Sequence, residues 1–151
     1  MIRVPFIWNE EHRLPQCAWE STLNNIATVP VEVQQKDPGS LLNHYKKLIR
    51  ARQTSMALMK GSFAPISAGN RAVIAYERNW TDGNERENVI VLHNISGKNQ
   101  LIRLDISMSD AGVLLDSGDT AIASNDDAQA GGTVVEMSPL STLVIFSDAT
   151  Y

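Results

Sequence analysis

Apolar side chains divide this chain into two unlike parts. Over residues 1–30 no period is sustained: Pro5, Pro15 and Pro30 interrupt the pattern, and Trp8 and Trp19 sit among polar neighbours. The stretch reads as an extended loop, which at that length is uncommon inside a compact domain and suits a segment lying across something larger. Leu41, Leu42, Tyr45, Leu48 and Ile49 then recur at helical spacing, which predicts one amphipathic helix over roughly 38–54. Asp37 suits its N-cap and Pro38 its first position, where a missing N–H costs nothing. Lys46, Lys47, Arg50 and Arg52 lie towards the C-terminal half, where cations complement the dipole, and Gly61 is the stop. Val31–Gln35 reads as a short helical turn before the cap.

Beyond Gly61 the pattern becomes that of strands. The candidates are Ser62–Ile66, Ala72–Arg78, Asn88–Asn94, Gln100–Ile106, Val113–Asp116, Thr120–Ala123, Thr133–Met137 and Leu143–Ser147. Turn formers separate most of them, including Thr81-Asp82-Gly83-Asn84, Ser96-Gly97-Lys98-Asn99 and Ser117-Gly118-Asp119. Short strands at such spacing predict an antiparallel β-sandwich. Val89–Leu92 and Leu143–Phe146 are apolar throughout, as strands covered on both faces are. The fold class is therefore mainly β: an antiparallel sandwich preceded by a loop and one long α-helix.

Charge sharpens the division. The chain has 151 residues and a net charge of −4, but residues 1–60 carry +3 and residues 61–151 carry −7. The expected boundary is thus 60/61. The acidic balance argues against a nucleic-acid partner. No apolar run approaches the roughly 20 residues of a membrane span, and no signal peptide is visible at the start. The single cysteine, Cys17, excludes an intramolecular disulfide framework and a cysteine-rich zinc site.

Candidate chemistry is sparse. His12, His44 and His93 are far apart and outside any metal spacing. Cys17 lacks a local activating group for nucleophilic work. Asp116-Ser-Gly-Asp119 followed by Asn125-Asp126-Asp127 offers hard oxygen ligands for calcium, but without the EF-hand order; it reads as a solvated turn. Asn79-Trp80-Thr81 and Asn94-Ile95-Ser96 match glycosylation sequons. The acidic residues sit mostly in turns, such as Asp82, Asp119 and Asp126, rather than as the carboxylate pair of a glycosidase. No cofactor or metal site is expected. Trp80, read as lying in a polar turn, is the candidate for stacking on a sugar ring.

Residues 33–52, Val-Gln-Gln-Lys-Asp-Pro-Gly-Ser-Leu-Leu-Asn-His-Tyr-Lys-Lys-Leu-Ile-Arg-Ala-Arg, resemble the last barrel helix of the α-amylase family of glycoside hydrolases. That family's pattern there is V-x-x-Q-x-x-D-P-x-S-L-L-N-H-Y-K-K-L-I-x-x-R. Upstream, Arg3-Val-Pro-Phe-Ile-Trp8 resembles its R-x-P-x-x-W loop, with Pro5-Phe6-Ile7 departing from the commoner P-M-Q. Gln16-Cys-Ala-Trp-Glu20 resembles a Q-[TS]-x-W-E element. Downstream, Ala72–Arg78 resembles V-x-A-Y-x-R, Val89–Ser96 resembles V-V-L-N-x-S, and Met137–Ile145 resembles the closing strand. The order is the family's own.

The resemblance implies a C-terminal segment: residues 1–60 as a remnant of the catalytic barrel, and residues 61–151 as an autonomous C-terminal sandwich. The family's nucleophile Asp, acid/base Glu and transition-state Asp would lie upstream, so no catalytic residue transfers to this chain. Its implied role is to cover and stabilise the barrel of an enzyme acting on α-glucosidic bonds. Implied partners are that barrel, an α-glucan weakly held at Trp80, and a second copy through the exposed helix. The compartment stays open, a secreted or periplasmic parent being one reading. Two alternatives stand beside it: a free-standing carbohydrate-binding module, and a degraded hydrolase remnant serving as an interaction protein.

Overall fold

The computed structural model describes residues 6–13, 27–104, 112–118, 120–125 and 132–146. Arg3, Pro5, Cys17, Trp19, the Gln16–Glu20 element, Asp119, Asp126 and Asp127 lie outside them. Two compact units emerge, Met1–Leu48 and Ile49–Tyr151.

In the first unit Ile7 is buried. The carbonyls of Ile7 and Trp8 accept from Val31 N at 3.1 Å and Glu32 N at 2.9 Å, tying the incoming chain to helix α1, Val31–Lys36. Helix α2 spans Leu41–Gln53, and a polar joint links it to α1. Ser40 Oγ accepts from Asn43 N at 3.2 Å and donates to Gln34 O at 2.6 Å. Gln34 Oε1 accepts from Leu42 N at 3.2 Å, and Asn43 Nδ2 donates to Gln34 O at 2.9 Å and Asp37 O at 2.7 Å. The orphan N–H groups of one helix and the orphan carbonyls of the other are thereby satisfied together.

The cap consequently falls at Ser40 rather than at the expected Asp37. Asp37 ends α1 in extended backbone, and its carboxylate accepts from Gly39 N at 2.9 Å. A cap at Asp37 would have satisfied α2 alone, whereas Ser40 and Asn43 serve both helices. Along α2, Leu41, Tyr45 and Ile49 are 67%, 57% and 54% exposed, while Leu42 and Leu48 are half-buried.

Helix α2 ends where the Thr54 hydroxyl bonds back to Arg50 O and Ala51 O, at 3.2 and 3.1 Å. Such bonds compete with continuation of the helix. Ser55 then caps a further helix, α3, Met56–Lys60, by accepting from Leu58 N at 3.0 Å. Gly61 closes α3 where the backbone passes too close for a side chain: a Cβ there would lie 2.5 Å from Ala57 O and 2.9 Å from Asn79 O.

The strands are β1 Ser62–Ile66, β2 Val73–Asp82, β3 Glu85–Asn94, β4 Gln100–Leu104, β5 Val113–Asp116, β6 Ala121–Asn125, β7 Gly132–Met137 and β8 Thr142–Phe146. All pairings are antiparallel. One sheet has the order β1-β2-β3-β8-β5 and the other β4-β7-β6. The expected sandwich is therefore present. Its core joins Val73, Ala75, Ile90, Leu92, Leu143 and Ile145 of the first sheet to Ile102, Leu104, Val135 and Met137 of the second.

The opposite face of the first sheet is also covered in part. Val89 and Val91 are buried at 0% and 2%, and α3 packs on β2 and β3 with Ala57 fully buried. Glu87, on the Val89 face by alternation, accepts from Met56 N at 3.0 Å and from the Ser55 hydroxyl. This is why Val89–Leu92 has no polar position.

Trp80 is not in a turn: β2 runs through Asp82, and Trp80 pairs with Glu87 inside the β2–β3 ladder. The loop shrinks to Gly83-Asn84, with Gly83 at φ 58°, the positive φ required at the first position of a type II′ hairpin.

Candidate functional site

The far end of the β2–β3 hairpin holds an open depression of about 430 Å³, lined by Trp80, Glu85, Arg86, Glu87, Asn88 and Phe146 among others. Trp80 is half-buried there. Two of its polar neighbours already serve the scaffold. The Glu87 carboxylate holds the start of α3, and Asn88 Nδ2 donates to Asn79 Oδ1 at 2.6 Å. Asn88 Oδ1 is buried without a partner. An indole beside Arg86 and Glu85 is what the depression offers a ligand: one flat apolar face with charged groups at its rim.

The remaining sequence candidates are dispersed or committed. Asn94 of the second sequon is 2% exposed. Its Nδ2 donates to Lys98 O at 2.8 Å and Ser138 O at 2.7 Å, while its Oδ1 accepts from Ser96 N at 3.0 Å. The side chain bolts the turn after β3 to the turn after β7 and presents no amide to modify in the folded state. Asn79 is half-buried and paired with Asn88. Asp116 makes a self-contained turn, accepting from Gly118 N at 3.0 Å and from the Thr120 hydroxyl at 2.8 Å. Among the described residues no group of three or more His, Cys, Asp and Glu could hold a metal ion.

The histidines lie apart. His12 bonds to Asn9, and the His44 ring stands 6.5 Å from that of Tyr45. His93 Nδ1 lies 2.9 Å from Thr142 Oγ1, and burial lowers the His93 pKa.

One cluster escaped the sequence reading. On the face of the first sheet that carries Val89, the Phe63 ring lies 5.0 Å from Tyr76, and Tyr76 lies 5.8 Å from His93. Arg78 faces the same way: its Nη2 donates to Gly61 O at 2.8 Å, and its Nε is buried with no acceptor. Burial raises the Tyr76 pKa, and the Arg78 charge partly offsets the rise. The sequence signal was the run Val73–Tyr76, apolar at both parities where a one-sided strand would alternate.

The fold and its hairpin thus define a helical segment joined to an antiparallel β-sandwich. No family model matches the chain. It is 32% identical over 98 residues to "Alpha-amylase 3" of Dictyoglomus thermophilum, covering 63% of this chain and 19% of that protein. It is 32% identical over 97 residues to "Probable oligo-1,6-glucosidase 2" of Bacillus subtilis, covering 62% and 17%. It is 28% identical over 136 residues to "Amino acid transporter heavy chain SLC3A2" of Rattus norvegicus, covering 84% and 25%. The chain spans about a fifth of the length of these curated relatives. Among solved structures, an α-amylase from H. orenii superposes with a TM-score of 0.73 at 25% identity, over 95% of this chain and 28% of that one. The chain is a partial segment of a glycoside hydrolase of the α-amylase family, and its two sheets form the β-sandwich of such enzymes.

Proposed function

We propose that this chain is the non-catalytic end of an enzyme that cleaves or transfers α-glucosidic bonds, and that it covers and stabilises that enzyme's barrel. Residues 1–60 are the last loop and helix of the barrel, and residues 61–151 the sandwich. The observation that carries the reading is the exposed Leu41–Tyr45–Ile49 stripe on the helix that resembles the family's last barrel helix. Exposed apolar side chains in register along a helix fit a face built for a partner. The acid, base and nucleophile belong to that partner. The relatives' names support a glycosidic substrate, although one of them names a transporter subunit.

Two measurements test this. Purified chain offered starch, maltose and nitrophenyl α-glucosides is expected to show no turnover; turnover abolished by mutating one of its own acidic residues overturns the reading. The genomic reading frame upstream of Met1 is expected to encode barrel motifs. In isolation the bare stripe pairs with that of a second copy, so sedimentation at high concentration should show a dimer that Tyr45→Glu dissolves.

The Trp80 depression favours a second reading, a carbohydrate-binding module. One aromatic contact adds only about 1–2 kcal/mol, so weak glucan binding is expected. Submillimolar affinity for maltoheptaose by calorimetry, lost in Trp80→Ala, would favour the module.

A further inference from the structure

We propose that the tip of the β2–β3 hairpin is a modification site, where Asp82 isomerises to isoaspartate by reaction with the backbone nitrogen of Gly83 and with water. Of the nine glycines in the chain, Gly83 alone follows an Asp or Asn. The missing side chain leaves its nitrogen open to approach from the preceding residue. A Cβ built on Gly83 would meet nothing within 4 Å, and both Asp82 and Gly83 are exposed. Among the described residues neither the Asp82 carboxylate nor Gly83 N has a hydrogen-bond or ion-pair partner. The other described aspartates differ on each count. Asp37 precedes a proline, whose nitrogen has no hydrogen to lose, and its carboxylate is held by Gly39 N. Asp116 precedes Ser117, and its carboxylate is held by Gly118 N, Thr120 N and the Thr120 hydroxyl.

The reaction balances without any oxidant or reductant. Gly83 N attacks Cγ of the Asp82 carboxyl group in its protonated form. The N–Cγ bond forms, the Cγ–OH bond breaks, and the hydroxyl leaves as water with the proton of the nitrogen. Water then opens the succinimide ring. Addition at Cγ restores aspartate, whereas addition at the Asp82 carbonyl carbon breaks its bond to Gly83 N and leaves the chain running through Cβ and Cγ. Ring closure requires Asp82 to leave its extended backbone. The Asp82–Glu85 pair is the last rung of the ladder, where local opening costs least. The isoaspartyl form carries an extra backbone atom and a free α-carboxylate at that rung, so the rung no longer closes in register. Trp80 and Glu87, which line the depression at this end of the hairpin, pair two rungs away.

Ageing of the full chain at neutral pH and body temperature tests the proposal. Trypsin, cutting after Arg78 and Arg86, releases residues 79–86 as one peptide with Asp82 as its only aspartate. Over weeks that peptide is expected to split into two forms of equal mass. The new form should resist an endoproteinase that cuts before aspartate, and should accept a methyl group from an isoaspartyl methyltransferase. Asp82→Glu, whose longer side chain disfavours the ring, should abolish the new form. Asp82→Asn should produce it several-fold faster, with loss of ammonia. The separated isoaspartyl chain should also melt lower than the unaltered chain; equal melting would overturn the effect on the closing rung. An aged chain unsplit at residues 79–86, while the free peptide of the same residues isomerises, would mean that the folded turn protects Asp82 and would overturn the proposal. Isoaspartate appearing first at Asp116 would overturn it equally, because a carboxylate already held by its neighbours would then be the more reactive one.

Discussion

Between α1 and α2 the best-satisfied side chains are polar, and Leu41, Tyr45 and Ile49 face outward; in the sandwich, apolar residues of both sheets close on one another and polar residues mostly rim them. Hydrogen bonds such as those of Ser40, Gln34 and Asn43 set the geometry of a helix pair. Their net contribution is only about 1 kcal/mol each, because water offers the unfolded chain comparable bonds. Apolar burial contributes roughly 1.5–3 kcal/mol per large side chain. The helical segment is therefore shaped by its own residues but not buried by them, whereas the sandwich is both.

The largest test of this contrast is where the chain is cut. A chain beginning at Ile49 should melt cooperatively. One beginning at Gly61 loses α3, which packs on β2 and β3, and leaves the Glu87 carboxylate without the groups it holds. Loss of those bonds should lower its stability by about 1–3 kcal/mol. Equal melting temperatures for the two chains would place α3 outside the sandwich's energetics.

Leu92, fully buried, should lose about 2–5 kcal/mol as Leu92→Ala in urea unfolding. Tyr45→Ala, on the open face of α2, should stay within about 0.5 kcal/mol. Similar losses would erase the contrast. Asn94→Ala strips donors from Lys98 O and Ser138 O and should cost about 1–3 kcal/mol. Denaturant titration followed by strand circular dichroism would measure it. Ser40→Ala should cost about 1 kcal/mol, read as lost helix signal with the sandwich transition unmoved. A shifted sandwich transition would show that the joint is coupled to the strands.

The smallest effect is pH-dependent. Burial lowers the His93 pKa below that of a free imidazole. The unfolded chain therefore binds the proton more readily, and stability rises with pH wherever it does so. The His93 contribution should be complete above the unfolded value and lost as pH falls through it towards the lower folded one. His93→Asn should flatten the melting curve against pH over that window; an unchanged slope would show that another group carries it.

Much of this architecture was legible in the residues. All eight strand candidates correspond to strands, two of them with the expected limits, because strand pairing here follows local apolar runs broken by Gly, Asn and Asp. The helix was legible from its period, and the family from the Gln34, Asp37, Ser40 and Asn43 letters that prove to build the joint. The cap position was not: Asp37 and Ser40 are both good caps, and only the carbonyls of α1 decide between them. Trp80 was misplaced because its neighbours are polar, and the two-residue turn at Gly83 extends the ladder past them.

By itself the sequence determined the order and type of the elements, the division of charge and the family pattern, all of which depend on neighbours within a few residues. Tertiary structure decided which groups are spent and which are spare. Asn94 is consumed by two turns, Glu87 by a helix start, and Arg78 is left with a buried donor unpaired. Those outcomes depend on groups up to 44 residues distant in sequence. Register and packing bring such groups together, and no local periodicity encodes that meeting.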